Sequence, residues 1–255
     1  MNIIIENDEK KDIFTQIFRH LTQFSQMVNF RLDKEKFYIQ GMDSNHISLF
    51  EINLCGDWFQ TYSIKEPLIL GINIELFSKI LNFRTKDQKI IFNTTSLDKL
   101  YIMLESDDKK TLSKKFKISI YDIETDLMLI PKVEYQADFV FETPQLKDLI
   151  DQMGTFAEML TFHCTEEFIE ISSESEEGEM ITKLDFNYLE EYSIEEKGDI
   201  NLQFNMKYIS QMLKYQNIFK DVHVHLSETT PLKINYKLDD KNYVSFFLAP
   251  QILDY

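Results

Sequence analysis

The chain has 255 residues, 44% of them hydrophobic, enough for two domains of common size with real cores. Its net charge of −16 argues against a generic polyanion binder, because nucleic acid repels such a chain at long range, but it leaves room for a local basic face. No apolar run approaches the ~20 residues of a membrane span, Met1-Asn-Ile-Ile-Ile-Glu is too short and too soon charged for a signal peptide, and Cys55 and Cys164 each lie in apolar stretches as buried free thiols, so a reducing, intracellular setting is expected.

Ile13, Phe14, Ile17, Phe18, Leu21 and Phe24 recur at helical spacing, with Thr15, Arg19 and Thr22 opposite, and predict a helix over 12–28. Strand-like runs follow at 29–32, 36–40 and 46–54. A second amphipathic helix is predicted over 70–83, entered through Asn73 as N-cap. Strands are expected at 89–93, 100–105 and 116–121. The second half follows the same order, with a helix at 145–153 after Pro144 and strands at 160–164, 168–172 and 180–186. A last helix over 206–215 precedes strands at 222–226, 233–238 and 243–248. Each half is mostly strand with two short helices, a pattern that favours antiparallel sheets with helices on one face, an α+β class.

The two halves match each other. Asn73, Ser78 and Leu81 recur as Asn205, Ser210 and Leu213, a shift of 132 (205 − 73), and Phe24, Met27 and Phe30 recur as Phe156, Met159 and Phe162 at the same shift. One offset at two distant places indicates a duplicated domain rather than the shared apolar spacing of short helices. The expected division is 1–121, a connector over 122–135, and 136–255. The connector, Asp122-Ile-Glu-Thr-Asp-Leu-Met-Leu-Ile-Pro131-Lys, turns from acidic to apolar. Its segment 127–130 is either a strand tucked into the core or a docking surface.

Catalytic and cofactor chemistry is not legible. Six scattered glycines build no phosphate loop, and no Gly-x-Ser-x-Gly occurs. His223 and His225 share a strand face but have no third ligand nearby in sequence, so no metal is expected. Glu174, Glu176, Glu177 and Glu179 read as a solvated loop and strand edge.

Five local sequences carry a resemblance. Met42-Asp43-Ser44-Asn45-His46-Ile47-Ser48-Leu49 resembles the Met-Asp-Ser-Ser-His-Val-Ser-Leu signature of the proliferating cell nuclear antigen (PCNA) family of DNA sliding clamps. Phe246-Phe247-Leu248-Ala249-Pro250-Gln251-Ile252 resembles its C-terminal Tyr-Tyr-Leu-Ala-Pro-Lys-Ile. Leu70-Gly71-Ile72-Asn73 with Ser78-Lys79-Ile80-Leu81 is similar to its Gly-Val-Asn and Ser-Lys-Ile-Leu elements, Leu129-Ile130-Pro131 to the end of its interdomain connector, and Thr230-Pro231-Leu232 to its Val-Pro-Leu. Together they span nearly the whole chain in order.

The resemblance implies a DNA-clamp fold of two similar domains, assembled as a homotrimeric ring around duplex DNA without sequence preference. It implies partners with clamp-binding peptide motifs, DNA polymerase among them, and a clamp-loader ATPase. It implies no enzyme activity, cofactor or membrane, and work in the nucleus or at a site of viral DNA replication; richness in Ile, Lys and Asn fits an AT-rich, viral genome. Lys79, Lys207 and Lys214 resemble pore residues; Arg19, Lys10, Lys11, Arg84 and Lys147 are further DNA-facing candidates, each also readable as plain helix surface. Thr15, Gln16, Thr22 and Asn82 stand where the family often has lysine, and Asp148 and Asp151 where it often has arginine.

The partner-peptide pocket of the family falls on Met42, His46, Ile47, Leu49, Met128, Ile130, Pro131, Pro231, Phe247, Leu248, Ala249 and Pro250; Leu49 and Leu248 are equally readable as core. Lys110, Lys114, Lys115 and Lys117 oppose Glu176, Glu177 and Glu179 as expected subunit edges, opposite charge favouring head-to-tail contact; two unrelated charged loops would look the same. The alternatives are a monomeric clamp-like processivity subunit and, remotely, a hydrolase.

Overall fold

The computed structural model describes residues 1–96, 98–131 and 133–250. Lys132 of the connector and Gln251 and Ile252 of the C-terminal motif lie outside the described residues.

The first half runs β1 (Asn2–Ile5), α1 (Asp8–Leu21), β2 (Met27–Leu32), β3 (Lys36–Met42), β4 (Ser48–Cys55), a 3-10 turn (Gly56–Trp58), β5 (Thr61–Ser63), β6 (Leu68–Asn73), α2 (Ile74–Asn82), β7 (Lys89–Ser96), β8 (Lys99–Glu105) and β9 (Lys114–Ser119). The second repeats this order with β10 (Ala137–Glu142), α3 (Thr143–Met153), β11 (Met159–Thr165), β12 (Ile169–Ser175), β13 (Gly178–Leu184), a 3-10 turn (Phe186–Tyr188), β14 (Glu191–Ile194), β15 (Asp199–Asn205), α4 (Met206–Met212), a 3-10 turn (Leu213–Asn217), β16 (Asp221–Leu226), β17 (Leu232–Lys237) and β18 (Tyr243–Leu248). Strand order repeats too. β5-β1-β7-β8-β9 corresponds to β14-β10-β16-β17-β18, and β4-β3-β2-β6 to β13-β12-β11-β15. The duplication read from two short matches therefore extends through every strand and α-helix, the 3-10 turn after α4 being the second half's own.

Contacts divide the chain into two compact units: Met1–Ser44, Phe50–Met128 and Leu238–Tyr243 form one, and Asn45–Leu49, Leu129–Lys237 and the chain from Val244 onward form the other.

In the first unit, Phe14 of α1 lies 6.0 Å from Phe37 of β3 and 5.6 Å from Phe92 of β7, so one helical side chain touches both strand runs. Phe18 and Phe77 of the two helices approach to 4.8 Å above Phe30 of β2. Each such fully buried ring contributes about 1.5–3 kcal/mol by transfer alone. The second unit packs Phe139 of β10 against Phe162 of β11, and Tyr236 of β17 donates its hydroxyl hydrogen to the Met212 carbonyl at 3.0 Å. Burial raises the Tyr215 and Tyr236 phenols well above their usual range.

Several expectations shift. α1 begins at Asp8, because the Asn7 side chain caps the Lys10 amide, and ends at Leu21 rather than 28. Thr15 is buried and bonds back to the Lys11 carbonyl, so it does not share the exposed side with Arg19. The expected helix over 70–83 is strand β6 up to Asn73, whose side chain caps the Leu76 amide and starts α2. α4 tightens to 3-10 geometry from Leu213. Strands β1, β5, β6, β10, β14 and β15 have no counterpart among the expected elements. Cys164 is buried, its thiol pushed up to about 12 by burial, whereas Cys55 is only half-buried.

Candidate functional site

The connector is held on the first unit by side chains. Tyr121 bridges Gly71 of β6, where a Cβ would overlap the Tyr121 carbonyl oxygen; this is the physical need for glycine in that motif. Asn29 of β2 donates to the Ile123 carbonyl (2.9 Å) and the Thr125 hydroxyl (2.8 Å), and Arg31 donates to the Thr125 carbonyl (2.7 Å). The side-chain amide of Gln40, on β3, pairs with both backbone groups of Met128. Beyond this strap, residues 127–130 form no strand, and Leu127, Met128 and Leu129 are exposed, Leu129 at 92%. The tucked-strand alternative does not fit that exposure.

In the second unit the Ala249 amide donates to the Ile47 carbonyl at 3.3 Å, joining the segment 45–49 to the end of β18. Ile47, Pro131, Pro231 and Ala249 are exposed, and Ile130 and Pro250 half-buried. Leu49 and Leu248 are buried, as the core reading has it, and Phe247, expected in the pocket, is buried with them. His46 is exposed with φ 57°, a left-handed turn position. Met42, in the first unit, is half-buried.

The cations on and beside the helices differ in freedom. Arg19, Lys79 and Lys207 are exposed; Lys79 pairs with Glu75 one helical turn away at 2.5 Å. Lys11 is 3% exposed and spends its ammonium on Asp8 (2.8 Å) and the Lys86 carbonyl (3.0 Å). That ion pair holds the Asp8 carboxyl below its ordinary range. Lys147 is buried against Asp151, and Arg84 pairs with Asp12. Lys10 lies over the Trp58 ring and donates to its carbonyl at 2.8 Å. Lys214 is half-buried. The structure therefore turns Lys11 and Lys147 inward while their partner carboxylates, Asp8 and Asp151, stay at the surface; expectation from sequence had both lysines facing DNA.

β9 ends one five-strand run and β13 ends one four-strand run, so each has an unpaired edge within its own unit. Lys115 and Lys117 are exposed on β9, their ammonium groups 5.3 and 5.6 Å from the Tyr101 ring. Lys114 donates to the Phe83 carbonyl, and Lys110 is exposed before the strand. Glu176 and Glu177 form the β12–β13 turn and Glu179 lies on β13, all exposed. Sequence reasoning missed the apolar part of both edges. Phe83 stacks on Phe116 at 6.0 Å, Leu112 before β9 is exposed, and Ile181 and Phe156 are exposed at β13. Leu112 inside a lysine run was the available signal.

His225 pairs through Nδ1 with Asp138, and the His223 and His225 rings lie 6.4 Å apart. Among the described residues no three metal-ligating side chains converge, and no helix is long and apolar enough to cross a membrane.

A duplicated pair of sheet-rich units, each with two helices and the same strand order, is the architecture of a DNA sliding clamp. The chain belongs to the proliferating cell nuclear antigen family: its N-terminal domain model matches residues 6–128 and its C-terminal domain model residues 129–251. The proliferating cell nuclear antigen of Dictyostelium discoideum is 26% identical over 248 residues, covering 94% of this chain and 96% of that protein. Proliferating cell nuclear antigen 2 of Drosophila melanogaster is 24% identical, covering 85% of each. The crystal structure of PCNA from Thermococcus kodakaraensis superposes with a TM-score of 0.89 at 19% identity, over 98% of this chain and 99% of that one. The protein is a DNA sliding clamp, of a family whose general role is to encircle duplex DNA and tether partner proteins to it.

Proposed function

We propose that three copies of this chain close head to tail, the basic β9 edge of one against the acidic β13 edge of the next. The observation that carries this is the pairing of opposite charge with exposed apolar rings on two different unpaired edges. Phe83, Leu112 and Phe116 supply area on one edge and Phe156 and Ile181 on the other. Lysines and glutamates set the register and disfavour like-to-like contact.

The ring holds DNA through few cations. Arg19, Lys79 and Lys207 are the ones exposed on helices, with Lys10, Arg84 and Lys214 behind them, and Asp148 opposes them. DNA contact is accordingly weak, electrostatic and indifferent to sequence. Partner peptides dock on apolar residues of the second unit, Ile47, Ile130, Pro131, Pro231 and Pro250, with the connector over 122–135 as the presented edge. The partners are a DNA polymerase, other proteins carrying clamp-binding motifs and a clamp-loader ATPase. The place of work is the nucleus or a site of viral DNA replication.

Light scattering tests the assembly. A trimer has a mass of about 91 kDa, three times 30.4 kDa. A mass of one subunit across micromolar concentrations would replace the ring with a monomeric processivity subunit.

A further inference from the structure

The two copies of the duplicated domain differ at one aromatic turn. At a shift of 130 (188 − 58), Tyr188 corresponds to Trp58, Tyr192 to Tyr62 and Ile194 to Ile64. Both turns are 3-10, and both stack an aromatic pair: Phe59 on Tyr62 at 5.2 Å and Phe186 on Tyr192 at 5.0 Å. Their exposure is opposite. Trp58 is 3% exposed, covered by Phe14 of α1 and by the Lys10 ammonium. Tyr188 is 67% exposed and Phe186 is exposed beside it. The cause lies in the helices. α1 has a first turn, Asp8 to Lys11, that brings Lys10 over Trp58. α3 starts at Thr143, the counterpart of Lys11 at the shift of 132 that relates Phe24 to Phe156 just after these helices, and the residues before it are still strand β10. Among the described residues, no cation equivalent to Lys10 lies over the Tyr188 ring.

The second copy's rings sit in a negative field. Residues 185–199 contain Asp185, Glu190, Glu191, Glu195, Glu196 and Asp199 against the single Lys197. The Tyr192 hydroxyl donates to the Thr165 carbonyl at 2.6 Å, and Glu166, next in that turn, accepts from the Lys197 amide at 2.8 Å. Rings and carboxylates therefore belong to one surface. In the first copy a lysine of the same chain lies on the aromatic face. In the second, among the described residues no lysine lies on the Tyr188 ring; Lys220 pairs with Glu190 and His163 with Asp199, while Glu191 and Glu196 are exposed beside the turn in sequence.

We infer that the Phe186–Tyr188 turn is a second docking surface, which takes an arginine-rich extended segment of another protein. Guanidinium planes stack on the exposed rings while their N–H groups reach the flanking carboxylates. Nucleic acid and anionic lipid are repelled by the same field. The surface does not depend on the ring contact proposed above. It follows the Leu184 end of β13, whereas Glu176 and Glu177 occupy the turn at the other end.

The test is fluorescence polarisation of a labelled Gly-Arg peptide of four repeats with the full chain, and with Phe186→Ala/Tyr188→Ala, which leaves the charge unchanged. Two exposed cation–π contacts predict about tenfold weaker binding by the double variant, and weaker binding of the lysine version of the peptide by wild type. Equal affinity of wild type and variant makes the binding charge-only and overturns the inference, as does absence of binding by wild type. Loss of oligomeric mass in the double variant would assign the surface to a second copy of this chain and overturn it too. Should the double variant melt lower, Tyr188→Ala alone decides, since its ring is largely in solvent and about threefold weakening remains readable.

Discussion

Gln40 holds Met128 as a neighbouring strand would. Its Oε1 accepts from the Met128 amide at 2.8 Å and its Nε2 donates to the Met128 carbonyl at 2.9 Å. A side-chain amide carries the same donor and acceptor as a peptide group, so it satisfies an exposed backbone where no ladder exists. Gln40→Ala removes both bonds, worth about 0.5–1.5 kcal/mol each net. Hydrogen exchange of the Met128 amide is expected to rise roughly tenfold or more, with the global melting temperature little changed. An unchanged exchange rate would show that Asn29 and Arg31 hold the connector alone.

The helix cations separate into two groups with opposite expected phenotypes. Arg19→Ala with Lys207→Ala removes exposed charge, so the salt dependence of binding to linear duplex falls by about two counterions, with stability held. Lys11→Ala leaves the Lys86 carbonyl without its buried donor, so it lowers stability, by about 1–3 kcal/mol, and leaves the salt slope in place. Denaturant melts beside salt titrations distinguish the two groups. A lost salt slope in Lys11→Ala would return it to the DNA-facing set.

What sequence alone revealed tracks how local the determining physics is. Strand 243–248 was legible to the residue because its apolar run is closed by Ala249-Pro250. The stretch from Leu70 to Asn73 was not, since a continuous apolar run suits a helix and a buried strand alike, and only the Asn73 cap marks the change. β15 alternates apolar and polar residues and was open to reading; β1 and β14 are four residues long and gain their identity only from neighbours in the sheet. The charged edges were visible as composition. Their apolar components were not, because outward-facing Ile181 and Phe83 look like core until an edge strand is known to have no partner. The inward turn of Lys147 and Lys11 depends on tertiary packing, which spacing does not encode.

The edge pairing predicts charge-reversal rescue. Lys114→Glu, Lys115→Glu and Lys117→Glu together should shift the assembly to monomer in light scattering. Adding Glu176→Lys, Glu177→Lys and Glu179→Lys should restore trimer in part, more so at low salt. Failure of rescue, with dissociation intact, would leave the apolar rings as the whole of the contact.

His223 gives the fold a defined acid sensitivity. Burial lowers its pKa below the ordinary 6.5, helped by the Lys237 and His225 charges. The unfolded chain then binds a proton that the folded one refuses, so the His223 contribution is complete above pH 6.5 and declines as pH falls through the depressed folded value. His223→Gln should flatten the fall in melting temperature between about pH 7 and 5. Parallel curves for variant and wild type would place the acid sensitivity in other groups.

The peptide site makes the sharpest demand on the connector. Ile130 is the only half-buried residue of the apolar run, while Leu129 projects almost wholly into solvent. A bound aromatic anchor has to dry the side chain it rests on, and area burial at about 25 cal/mol per Å² rewards that only on an apolar wall. Ile130→Asp puts a carboxylate there, costing several kcal/mol unless it turns back to water. Affinity for a polymerase-derived tail peptide should then fall by about a hundredfold or more in calorimetry, and long-tract synthesis should lose its stimulation. The proposed subunit edges are β9 and β13, so the mass of the assembly should stay that of wild type. Leu129→Asp is the control, since a charge at a fully solvated position costs nothing to hydrate, and its peptide affinity should stay within about threefold of wild type. Equal losses in both variants would make connector charge, not a dry contact at Ile130, the determinant; equal affinity in both would move the peptide site off the connector.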